Sequence, residues 1–85
     1  MAPTDFDEFL RSTPFEPFRI VASTGDTYEI RHPELLMVGR GSVTVGVAGD
    51  PDQWYYDRTI RLSLYHIVRL EPIRSGSSVD RNGDS

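Results

Sequence analysis

Two runs decide how this chain folds: Phe18-Arg19-Ile20-Val21-Ala22-Ser23 and Thr27-Tyr28-Glu29-Ile30-Arg31-His32, separated by Thr24-Gly25-Asp26. Both largely alternate apolar with polar residues, the period of a strand with one buried face. Phe18, Ile20 and Ala22 form the apolar set of the first strand, and Tyr28, Ile30 and His32 that of the second, which Pro33 ends. Paired residues point to the same face, so parity restricts the turn. A two-residue turn pairs Ser23 with Asp26 and puts Ile20 out of phase with Ile30. A three-residue loop, Thr24-Gly25-Asp26, pairs Ser23 with Thr27 and sets Ile20 opposite Ile30. It needs a left-handed residue near Gly25 or Asp26. In that register Arg19 lies opposite Arg31. Like charges so placed call for solvation, for Glu29 or Glu71 between them, or for a bound anion.

Downstream, Leu35 to Gly39 and Ser42 to Val47 flank Arg40-Gly41, a two-residue turn. Val38 then faces Val43 and Leu36 faces Val45. Leu36, Val38, Val43, Val45 and Val47 make the core face, with Leu35, Met37, Thr44 and Gly46 on the other. Ala48 to Gln53 is a loop marked by Gly49-Asp50-Pro51-Asp52, closed by Trp54, Tyr55 and Tyr56. A fifth strand spans Asp57 to Leu64, with Ile60, Leu62 and Leu64 inward. Tyr65-His66 makes a tight turn, and Ile67 to Glu71 is the last strand, with Val68 and Leu70 inward.

Upstream, Thr4 to Arg11 reads as a short helix capped by Thr4, with Asp7 three residues on. Phe6, Phe9 and Leu10 share one face. So short a helix is unstable alone, so this stripe must dock. Residues 75–85 hold one apolar residue, Val79, and are expected to be disordered. The expected fold is one mainly-β domain over residues 1–74. It is a small, strongly bent antiparallel meander or partly open barrel, with the helix over an open end or edge.

The chain has 85 residues, no cysteine, nine basic residues that are all arginine, and net charge −4. One domain is the limit. Disulfides, thiolate metal sites and cysteine nucleophiles are excluded. No apolar run approaches the roughly 18 residues of a membrane span. The N-terminus lacks the basic and apolar regions of a signal peptide, so a cytoplasmic protein without membrane association is expected. The acidic balance weighs against nucleic acid, whose binding rests on summed positive charge.

His32 and His66 are the only histidines, and two without a third clear ligand fall short of zinc spacing. His32, held extended before Pro33, can close the core next to Phe18. Asp50 and Asp52 lack the regular calcium-loop pattern. Gly39-Arg40-Gly41 lacks the strand-to-helix setting of a phosphate loop. No serine has a nucleophile's context. Neither catalytic residues nor a cofactor is expected. Leu35 and Met37, away from the core, are either an interaction surface or covered by the helix. Trp54, Tyr55 and Tyr56 either contact a partner, stack bases, or plug the barrel end, with Tyr56 the expected plug.

The order of helix, bent meander, tight turn and final strand over about Thr4 to Pro72 resembles the Sm/Hfq-like and SH3-like small barrels. Leu64-Tyr65-His66-Ile67, followed by Val68 to Pro72, looks like the Hfq segment where a Tyr-Lys-His run leads into the last strand. In Hfq that run contributes to RNA binding and the adjoining strands build a ring. Here the lysine is missing. The resemblance implies an RNA contact through Arg19, Arg31, Arg61 or Arg69 with His66. The chain also resembles short uncharacterised bacterial proteins. The shared segments are Pro17-Phe18-Arg19-Ile20, Tyr28 to Leu35 and Leu64 to Arg69. That likeness implies no activity. Two functions follow as expectations. The first is a non-enzymatic module for protein interaction or self-association, through Leu35, Met37 and Trp54. The alternative is an Sm/Hfq-like RNA-binding protein.

Overall fold

The computed structural model describes residues 1–73, and the expected tail at 75–85 lies outside them. The chain starts with a 3-10 turn, Pro3–Phe6, that runs into one turn of α-helix, α1, Asp7–Leu10. Asp5, not Thr4, holds the start. Its carboxylate accepts the Ala2 N–H at 2.9 Å, and its own N–H donates to the Ala2 carbonyl at 3.0 Å. Proline suits a first helical position, so the turn begins at Pro3 and Thr4 falls inside it. The stripe docks as expected. Phe6 is fully buried, and the Phe9 ring lies 4.8 Å from that of Phe18.

β1, Phe18–Ala22, and β2, Thr27–Ile30, form the first hairpin. The loop has three residues but sits one place earlier, at Ser23-Thr24-Gly25. Ala22 N–H donates to the Asp26 carbonyl at 2.9 Å, and Gly25 N–H to that of Ala22 at 2.9 Å. Gly25 takes φ +95°, a conformation costly to any residue with a Cβ. The glycine therefore fixes where the loop ends. Thr24 supports it, its hydroxyl 3.0 Å from an Asp26 carboxylate oxygen. Partners shift by two, which preserves parity. Phe18 faces Ile30, Ile20 faces Tyr28, and Arg19 faces Glu29 instead of Arg31.

The second hairpin has the expected register. β3, Leu36–Val38, pairs with β4, Ser42–Val47, through Leu36–Val45, Met37–Thr44 and Val38–Val43. β5, Arg58–Ser63, pairs with the other side of β4. A 3-10 turn, Leu64–His66, leads into β6, Ile67–Pro72. β6 is not the next strand of a meander. It returns to β1, so the strands form two antiparallel sheets, β2-β1-β6 and β3-β4-β5.

Val68 does not point inward. Val21 pairs with Arg69 while Ala22 pairs with Ile67, so Val68 is the extra residue of a bulge and is 54% exposed. Ile67 takes the inward place, at 6%.

Between the sheets lie Phe6, Phe18, Ile20, Ile30, Leu36, Val43, Val45, Leu64 and Ile67. Each such side chain contributes about 1.5–3 kcal/mol when fully buried. The fold is mainly β and partly open, and the described residues form no closed barrel. The opening lies beside β2, because β3 pairs with β4 only as far as Leu36–Val45.

Candidate functional site

Residues of β4 alternate, so Val43 and Val45 enter the core while Thr44 and Gly46 face out. Met37, paired with Thr44, shares that outer face and is 66% exposed. The loop after β4 supplies the aromatics. Gln53 donates to the Tyr55 carbonyl at 2.9 Å and to Asp57 at 3.3 Å, and Asp57 accepts the Gly49 N–H at 3.0 Å. This bracing presents Trp54, Tyr55 and Tyr56, all more than half exposed. Trp54 and Tyr55 meet edge to face at 5.6 Å.

Tyr56 is not a plug. It lies across Gly46, where an added Cβ would stand 2.9 Å from the Tyr56 Cβ. Tyr56 and Met37 therefore occupy one outer face. Leu35 is not a surface residue either, at 6% exposure. The 3-10 turn Pro33–Leu35 breaks the strand alternation. It folds Leu35 over Gly46, its Cδ2 3.1 Å from the same Cβ position. Of Leu35, Met37 and Trp54, the last two are accessible. Tyr65 is 92% exposed, and reading it as a turn residue did not single it out.

The arginines divide into groups. Arg19 lies between Glu29 and Glu71, at 3.6 and 3.4 Å. Arg31 bonds Glu29 at 3.0 Å, and Arg69 bonds Glu71 at 2.6 Å. The outer face of β2-β1-β6 thus carries an alternating row, Arg31–Glu29–Arg19–Glu71–Arg69. The Arg69 hydrogen bond lowers the Glu71 pKa, against some desolvation, and the hydrogen bond and charge of Arg19 add to it. Arg61 lies on the other sheet, its Nε donating to Ser42 Oγ at 3.2 Å. The exposed His66 sits beyond the far end of β1 from Arg19, its carbonyl accepting the Ser23 N–H at 2.7 Å. The fold thus gathers Arg19, Arg31 and Arg69 but not Arg61 or His66.

His32 does not close the core beside Phe18. Its Nε2 lies 3.2 Å from the Pro51 carbonyl oxygen and ties the loop to the end of β2. Asp50 accepts the Asp52 N–H at 2.9 Å, so this acidic pair forms a turn. A groove of about 340 Å³ opens between β2 and the end of β4, lined by Thr27, Glu29, Arg31, Leu35, Val47 and Asp50 among others. No helix among the described residues is long and apolar enough to cross a membrane. The chain matches no family model, no curated protein and no solved structure.

Proposed function

We propose that this chain is a non-enzymatic protein-interaction module whose contact face is the outer surface of β3-β4-β5. The exposed Met37, sharing its face with Tyr56 beside Trp54 and Tyr55, carries the reading. Aromatic and methionine side chains are enriched in protein contacts and scarce as isolated solvent-facing clusters. Self-association through this face is the simplest form of the activity.

Nucleic-acid binding is the second reading, favoured by three arginines on one face. Two glutamates already pair with those arginines, and the chain is acidic overall, which weakens attraction for a polyanion. Light scattering with and without a short single-stranded RNA separates the two. The expected result is a mass that rises with concentration, falls in Met37→Asp, and does not respond to RNA. An RNA complex whose affinity drops steeply with salt overturns the proposal.

A further inference from the structure

Among the described residues β2 is an edge strand, and its free side borders the open groove. The Ala22–Asp26 hydrogen bond sets the phase of the β1-β2 ladder. Asp26, Tyr28 and Ile30 direct their main-chain groups at β1, and Thr27 and Glu29 direct theirs away from it. β2 ends at Ile30 and His32 has extended dihedrals, φ −139° and ψ 133°; continuing the alternation from Glu29 by one step puts Arg31 in the outward set. The same three residues line the groove.

The side chains on this edge have a particular order. On the row through Arg19, Glu71 pairs with Arg19 and Arg19 with Glu29. The row ends at the edge on a negative charge, and the next outward residue of β2 is the positive Arg31. An antiparallel copy of this edge, related by a two-fold axis through Ile30, places Glu29 opposite Arg31 of the second copy. It also places Arg31 opposite Glu29 of that copy. Both residues turn their main-chain groups outward, so each facing pair exchanges N–H and C=O bonds in both directions. Both rows then alternate in sign from Glu71 to the second copy's Arg31, and opposite charges directly across strands stabilise the pairing.

We propose that two copies of this chain dimerise edge to edge through β2, joining their β2-β1-β6 sheets into one continuous six-stranded sheet. The occupant of the edge is a second copy, because Glu29-Ile30-Arg31 is charge-complementary to itself in antiparallel register. This contact is separate from the Met37 face. The interface is small, so the association is weak, with a Kd on the order of 0.1–1 mM.

The test is sedimentation equilibrium on the full chain in the Met37→Asp background, which silences the other face, from about 10 µM to about 2 mM. The expected result is a monomer–dimer equilibrium. Arg31→Glu or Glu29→Arg added singly sets like charges across the axis and raises Kd by about tenfold or more. Mixing these two variants restores a heterodimer, since one carries only positive and the other only negative residues at positions 29 and 31. Far-ultraviolet circular dichroism confirms that each variant is folded. A Met37→Asp protein that stays monomeric throughout the range overturns the edge contact and leaves the interaction reading intact. So does a mixture no more associated than its components. If Met37→Asp leaves the wild-type mass unchanged and Arg31→Glu alone yields monomer, the Met37 face fails and the edge stands. An extended peptide bound in the groove of a strictly monomeric protein also overturns the proposal.

Discussion

Glu71 sits between two guanidinium groups, hydrogen-bonded to Arg69 at 2.6 Å and to Arg19 at 3.4 Å. Its pKa is lowered from the ordinary glutamate value. A carboxylate depressed by folding stabilises the native state above its unfolded pKa, and that contribution is lost as pH falls through the folded value. The chain should therefore lose this contribution below the ordinary glutamate range. Carboxyl NMR titration of Glu71 checks it, and Arg69→Ala should move the midpoint up toward that range. Gly46 presents a different constraint, steric rather than electrostatic. An alanine Cβ there would meet Tyr56 Cβ at 2.9 Å, and Leu35 Cδ2 at 3.1 Å. Gly46→Ala should cost about 1–3 kcal/mol in urea denaturation, the scale of overpacking. A strand glycine signals that something approaches closely but does not say what. Leu35 was for that reason misplaced from its spacing, whereas Met37 and the alternating valines were legible.

Among the elements, the N-terminal 3-10 turn and α1 are held to the body by Phe6 and Phe9. Phe6 is fully enclosed while Phe9 is only partly so. Phe6→Ala should cost roughly 3–5 kcal/mol, as for a buried aromatic site, and Phe9→Ala distinctly less. Chemical denaturation of both variants measures the difference. An unfolding midpoint for Phe6→Ala close to that of wild type would show the helix to be loosely attached. The β3-β4 register was readable because a two-residue turn and period-2 valines agree. The β1-β2 register was offset because parity distinguishes odd from even loops but not one three-residue placement from the next. The position of Gly25 decided that. The β6 bulge leaves no mark in an apolar run such as Ile67-Val68, since both residues suit the inward face and only pairing with β1 chooses between them. The aromatic loop was ambiguous for a related reason. A loop has no period from which to infer facing, and its bracing by Gln53 and Asp57 is visible only in three dimensions.

The molecule as a whole unites strands from distant parts of the chain. β1 is flanked by β2, its neighbour in sequence, and by β6, which comes last of the strands among the described residues. The mainly-β class and most strand positions could be read from local patterning. This long-range pairing could not, because local periodicity contains no information on which edge a last strand will join. A chain ending at His66 lacks the β1 partner and the core residue Ile67. It should show no cooperative thermal transition by circular dichroism, since an 85-residue fold has few kcal/mol to lose. Non-local strand pairing such as β1-β6 also predicts refolding in milliseconds to seconds, measurable by stopped-flow fluorescence of Trp54, the only tryptophan.

The β1-β6 pairing also determines how the molecule meets mechanical force. The strands run antiparallel with Phe18 opposite Pro72, and Ile73 N–H bonds the Pro17 carbonyl at 3.0 Å just outside them. Tension applied at residues 17 and 73 pulls on the same end of the ladder, across its hydrogen bonds. The load falls on one bond at a time, first Ile73–Pro17 and then those beside Phe18–Pro72, as in a zipper rather than a rivet. Such a joint yields at low force, so this domain would serve in a tethered assembly as its compliant link, giving way before any neighbour whose terminal strands are loaded in shear.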